Sequence, residues 1–158
     1  MGVGLTKIRQ VKVPVTDLVR SMRWYQALLG LELVAEFTED GVVRGVVLLD
    51  RPGGFVIALR DREVVPGRPN FAGFDLVGFG VESPQVLHQL VEDCERLGFD
   101  HEPIHDRGEY GQALDITDPD GTVLRFLWDH ETVDDTFLGM EFTADGPPTM
   151  YDVPRLPR

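Results

Sequence analysis

The sequence is written twice, and this repetition constrains the fold more than any other feature. KIRQVKVPVTDL runs into VRSMRWYQALLGLEL, and FDLVGFGVESP runs into QVLHQLVEDCERLGF. Setting Gln10 against Leu76 superposes Val11 on Val77, Val13 on Phe79 and Val15 on Val81. Such alternation marks a strand with one buried face, here followed each time by a polar cap and a helical stripe. In the first helix Thr16 or Asp17 caps the free amides, Gly30 gives the left-handed stop, and Leu18, Met22, Tyr25 and Leu29 form the stripe. In the second, Ser83 caps and Pro84 sits where its missing N–H costs nothing. Val86 or Leu87, Leu90, Cys94 and Leu97 form that stripe, and Gly98 ends it.

Further strands follow each helix. LELVAEF, VVRGVVLLD and FVIALRD complete the first half; GQALDIT and TVLRFLW, joined by the tight turn Asp118-Pro119-Asp120-Gly121, are the clearest in the second. The expectation is one domain over 1–130, an α+β fold of two βαβββ modules at about 6–62 and 72–130. Residues 61–73, with Pro66, Gly67 and Pro69, link the modules. From about His130, Gly, Pro and acidic residues punctuate the chain. Residues 131–158 are expected to form an extended tail whose Phe137, Phe142, Met150 and Tyr151 pack on the surface or on a partner subunit.

Charge and cysteine content narrow the partners. The 158 residues carry 15 Lys+Arg against 27 Asp+Glu, a net charge of −12. A pI near 4.6 argues against nucleic acid, whose phosphates need a basic face. No run reaches the roughly 18 apolar residues of a transmembrane helix, so no membrane partner is expected. The N-terminus lacks the basic-then-apolar layout of a signal peptide. The single Cys94 allows neither an internal disulfide nor a cysteine zinc cage and fits a reducing cytoplasm.

The tandem plan resembles the vicinal oxygen chelate superfamily of glyoxalases, extradiol dioxygenases and bleomycin- and fosfomycin-resistance proteins. VKVPVTDLVRSMRWYQALLGLEL and DRGEYGQALDITDPDGTVLRF carry the resemblance, which spans roughly residues 6–130. It implies a cup-shaped open β-barrel with helices outside, a ligand within, and a homodimer. Metal enzymes of that family use one ligand from the first and one from the last strand of each module. The corresponding positions here are Gln10, Ala58, Leu76 and Arg125. An alanine and a leucine cannot ligate, and an arginine puts a permanent positive charge where the cation would sit. The expectation is no metal and no other cofactor, by a branch lacking the usual ligands.

Other residues offer little replacement. His88 lies on the polar helix face with Glu92 and Glu95, and His101 and His105 flank Pro103 in a loop, where a four-residue spacing does not converge as it does on a helix.

Strand alternation supplies candidate cup-lining residues. With Val11, Val13 and Val15 against the helices, Gln10, Lys12 and Pro14 face inward. Leu76 and Gly78 do so in the second module, as do Val56 and Ala58 in the last strand of the first, with Arg60 next on that face. The Asp-Pro-Asp-Gly turn is expected to set Arg125 across from Leu114, with Gln112, Ile116, Val123 and Leu127 on the same face. Gln10, Lys12, Gln112 and Arg125 are then polar handles in an apolar pocket. Arg125 either clamps an anionic group or is held by a neighbouring carboxylate, and Lys12 either reaches the cup or snorkels from the strand edge. Trp128 faces an aromatic ligand or closes the barrel. Trp24 and Tyr25 are read as core. His105 and Tyr110, in a loop over the mouth, are the candidates for proton transfer or stacking.

Three readings follow, and the residues alone leave open whether the chain is an enzyme. The first is a metal-independent, antibiotic-resistance-type protein that binds an aromatic or drug-like small molecule. The second is a metal-independent isomerase, cyclase or lyase using His105, Tyr110 and Arg125. The third, a metal-dependent dioxygenase or glyoxalase, is disfavoured by the substituted ligand positions.

Overall fold

The alternation in each repeat builds one four-stranded sheet. In the computed structural model, which describes residues 3–129 and 139–157, the first sheet comprises β1 (Gln10–Val15), β2 (Glu32–Glu39), β3 (Val42–Asp50) and β4 (Phe55–Asp61), ordered β1-β4-β3-β2. The second comprises β5 (Asp75–Gly80), β6 (His105–Asp106), β7 (Gln112–Thr117) and β8 (Val123–Trp128), ordered β5-β8-β7-β6. Helices α1 (Leu18–Leu29) and α2 (Pro84–Leu97) each follow the first strand of a repeat. That first strand pairs in parallel with the last strand, and the remaining neighbours are antiparallel. The parallel pairing requires a crossover, which the helix and the intervening strands supply. The result is an α+β fold of tandem βαβββ modules, with two sheets that no strand pairing joins among the described residues.

The helical faces of both sheets share one core. Val13, Val15, Leu48, Ile57, Leu59, Leu114, Ile116 and Leu124 are buried in it with Tyr25, Leu87 and Cys94 from the helices. The α1 stripe is rotated by about one position from the sequence reading: Ser21, Trp24, Tyr25 and Leu28 are deepest, while Leu18, Met22 and Leu29 flank them. Asp17 is the α1 cap, accepting the Arg20 N–H at 3.0 Å, and Gly30 ends the helix at φ 66°. Ser83 stands at the α2 cap position without a capping side-chain bond, so Pro84 alone marks that start.

The turn after β7 fastens one module to the other. Asp118 is buried; its Oδ1 accepts the N–H groups of Asp120 and Thr122, each at 2.9 Å. Its Oδ2 accepts the hydroxyl of fully buried Tyr25 at 3.0 Å. Asp120 accepts the backbone N–H of Thr16 at 3.1 Å and also its hydroxyl, so the second module's turn closes the β1–α1 corner of the first. Arg20 adds an ion pair to Asp120 at 3.5 Å. Burial raises the Asp118 pKa despite these donors.

The C-terminal segment, expected to be extended, instead forms a two-stranded hairpin where it is described, β9 (Gly139–Thr143) and β10 (Gly146–Tyr151). The expectations for His130 and Phe137 lie outside the described residues.

Tyr25→Phe leaves a buried carboxylate oxygen without its donor and is expected to cost about 2 kcal/mol in urea unfolding. Asp118→Asn keeps one oxygen for the two turn amides, sets an NH2 against the Tyr25 hydroxyl, which can accept from it, and removes the buried charge; it is expected to cost less. Since folding raises the Asp118 pKa, its stabilising contribution is full below the ordinary aspartate value and is lost as pH rises through the raised one. That component should vanish from the pH–stability profile of Asp118→Asn. Gly111 lies at φ 93°, where a Cβ would fall 1.9 Å from the Trp128 carbonyl oxygen. Gly111→Ala is therefore expected to lower stability by about 3 kcal/mol or more, and an unchanged urea midpoint would contradict the β7–β8 geometry.

Candidate functional site

The sheet faces turned away from the helices are the walls of the cup. In the first module Gln10 stands opposite Val56, Lys12 opposite Ala58 and Pro14 opposite Arg60. Gln10 and Lys12 are exposed, whereas Ala58 is buried at the base of the wall. Val13 and Val15 are fully buried against the helices, so the inward reading of Gln10, Lys12 and Ala58 follows from alternation.

The second module departs from the sequence reading by one residue. Arg125 lies across from Asp115, while Leu114 lies across from Phe126. Gly121, at φ 87°, makes a bulge: its N–H bonds to the Asp118 carbonyl, and the Asp118 N–H to the Thr122 carbonyl. This adds one residue to the hairpin loop and inverts the face assignment along β7. Leu114 and Ile116, at 0% exposure, are core, and Gln112 shares their face. Trp128, opposite Gln112, packs against the same core. A second irregularity between Asp75 and Val77 turns Leu76 toward the core as well. Leu127 and Gly78 keep the inward placement, alongside Arg125 and Val123.

Asp75 and Asp115 are therefore the residues that alternation missed. Arg125 donates through Nε and one terminal nitrogen to both oxygens of Asp115, each at 2.8 Å, and through the other nitrogen to Asp75 at 2.6 Å. These hydrogen bonds and charges raise its pKa further. A guanidinium paired bidentately is geometrically fixed, and two carboxylates leave the trio with net negative charge. An acidic residue at the centre of the apolar segment ALDIT was the available signal for Asp115.

His105 and Tyr110 meet at the edge of this module. His105 pairs with Ala113, which pairs with Leu127, so His105 lies on the inward face. After β6 the chain makes a 3-10 turn, Gly108–Tyr110, held by Arg107, which donates to the Tyr110 carbonyl at 2.5 Å and to Asp129 at 2.6 Å. Between this turn and the C-terminal hairpin lies a cleft of about 770 Å³ lined by both His105 and Tyr110. The Tyr110 hydroxyl contacts Met150 Sδ across it. Desolvation and the nearby Glu109 raise the Tyr110 pKa, which makes the phenol a weaker acid at neutral pH. His88 is exposed on α2, and His101 binds locally to the Glu102 carbonyl at 2.9 Å.

Of the residues that the family resemblance sets at ligand positions, Gln10, Ala58, Leu76 and Arg125, only the Gln10 amide offers a metal donor, and with Leu76 turned to the core Asp75 takes its place on the inward face. Asp75 and Asp115 lie beside that place but are engaged by Arg125. Among the described residues no group of three or more His, Cys, Asp or Glu side chains is arranged to hold a metal ion.

Comparison with known proteins gives the same architecture. A glyoxylase/bleomycin resistance protein/dioxygenase domain from Frankia sp. EAN1pec superposes with a TM-score of 0.69 at 26% identity, covering 82% of this chain and 96% of that one. TnmS3, an antibiotic binding protein from Streptomyces sp. CB03234, superposes with a TM-score of 0.64 at 14% identity, covering 82% and 100%. The genomically encoded fosfomycin resistance protein FosX from Listeria monocytogenes gives 0.64 at 14%, covering 80% and 96%. At such identities the last two share the fold alone. No curated protein matches the chain. A sequence model for one family matches residues 7–126, most of both modules. The chain belongs to the Glyoxalase/Bleomycin resistance protein/Dioxygenase superfamily.

Proposed function

We propose that this protein binds a small aromatic or drug-like metabolite on the inward faces of its modules, without a metal ion. The observation that carries the reading is the engagement of Arg125 by Asp75 and Asp115. A fixed cation stands at a metal-ligand position, and the nearest carboxylates are spent on it. Gln10, Lys12, Ala58 and Leu127 supply the rest of the wall, while Leu76, Gln112, Leu114 and Trp128 support it from the core side. An antibiotic binding protein and a fosfomycin resistance protein among the structural relatives support ligand binding as the class of activity. Residues 1–130 form the binding domain in this reading, and 131–158 are an appended segment.

A metal-independent isomerase, cyclase or lyase is the second reading. It is favoured by one observation, that His105 and Tyr110 line the same cleft. The proposal also includes a cytoplasmic homodimer. Buried Cys94, the chain's single cysteine, suits a reducing compartment, and exposed Leu33, Val34, Phe37 and Val42 offer apolar surface to a second copy. No helix among the described residues is long and apolar enough to cross a membrane.

The test is to incubate the purified protein with a metabolite extract of its own cells and analyse bound and free fractions by mass spectrometry. One compound held unchanged, about one per chain and insensitive to EDTA, is the expected result. Depletion of a metabolite in many-fold excess, with a product appearing, would establish the catalytic reading; loss of either effect with EDTA would refute metal independence. Arg125→Gln leaves two carboxylates without their counter-ion. Because the trio is partly exposed, the expected loss is about 1 kcal/mol, or roughly 3 °C in Tm, and it should shrink at high salt.

A further inference from the structure

The cleft between the β6 loop and the C-terminal hairpin has a composition of its own. One wall carries Asp106, Glu109 and Asp129 with Arg107; the other carries Met140, Phe142 and Met150. The only guanidinium in the lining is committed to Asp129 at 2.6 Å, and Asp106 and Glu109 are in no ion pair among the described residues. Asp106 accepts the Gly108 N–H at 2.8 Å and Glu109 the Tyr110 hydroxyl, so neither negative charge meets a cation as it faces the soft, apolar surface. Phe142 is 76% exposed, and Met150, whose Sδ touches the Tyr110 hydroxyl, is 52% exposed, so both present apolar surface to an occupant. Thioether and aromatic surfaces attract a flat, polarizable cation, and carboxylates beside them neutralise its charge. An anion meets the opposite conditions, in the cleft and across a chain of net charge −12.

We infer that this cleft is a binding site for a cationic, largely aromatic small molecule. The inference rests on the binding reading above: it assigns the charge class of the ligand and moves its seat from the inward wall, which His105 shares, to the hairpin edge of the second module.

Two xanthene dyes of similar shape and opposite charge test it, cationic rhodamine 6G and anionic fluorescein. Fluorescence anisotropy with the full chain at low salt is expected to show one rhodamine 6G bound per chain, weakening as NaCl is raised, and no fluorescein binding. Glu109→Gln and Phe142→Ser are each expected to weaken rhodamine 6G about tenfold. Glu92→Gln, on the exposed face of α2, should leave it unchanged. Equal affinity in the wild type and both cleft variants, comparable fluorescein binding, or no rhodamine 6G binding overturns the inference. Loss of the dye in Gln10→Ala or Leu127→Ala, with the cleft variants unaffected, overturns the cleft while keeping the binding reading. A metabolite turned over rather than retained in the extract experiment removes the binding reading itself, whatever the dyes do.

Discussion

The buried carboxylate of Asp118 is the contact on which the arrangement of the two modules depends. It organises its own turn through two backbone amides and receives the hydroxyl of a tyrosine from the other module's helix. Burying a charge is unfavourable unless its lone pairs are satisfied, and here three donors do so. The neighbouring Asp120 completes the corner at Thr16, so one short turn satisfies polar groups belonging to both repeats. Apolar packing then proceeds on both sides: Trp24 of α1 lies 5.2 Å from Phe99 after α2, and Phe55 of β4 lies 5.5 Å from Phe79 of β5. These are ring-centroid separations of contacting aromatics.

Much of this was legible because each repeat carries both periodicities in clear form. The alternation of Val11, Val13 and Val15 and the helix stops at Gly30 and Gly98 locate strand and helix without tertiary information. What alternation does not carry is its own phase across a turn. Gly121 in a left-handed conformation lengthens the loop by one residue, and the irregularity after Asp75 does the same in β5. Each shift exchanges the two faces of a strand, which is why Leu114 and Leu76 went to the core and Asp115 and Asp75 came to Arg125. The first module, whose β1–β4 pairing has no such shift, kept Gln10, Lys12 and Ala58 where the pattern placed them.

The corrected register also changes the charge inside the cup. With Arg125 unpaired, an anionic ligand would be the natural guest; with two carboxylates on it, the guanidinium acts as a brace between β5, β7 and β8. On the inward wall of the first module Arg60 is paired with Glu39 and Lys12 is in no ion pair among the described residues, while the wall and edge of the second are acidic. The two halves of a duplicated scaffold have thus acquired different electrostatic character, which identical copies of one module would not offer a single asymmetric ligand.

The Thr16–Asp120 contact joins residues 104 positions apart. During synthesis the first repeat leaves the ribosome well before its corner-closing partner exists. β1 and α1 must wait, with Tyr25 lacking its acceptor, until the turn at Asp118–Gly121 has emerged and β7 and β8 can pair. Closing so large a loop carries an entropic cost that is recovered only when the second core forms, which favours late, concerted folding of the two halves. A duplicated architecture of this kind is therefore not two independent foldable units in series. The last hairpin of the second copy sets the moment at which the first becomes complete.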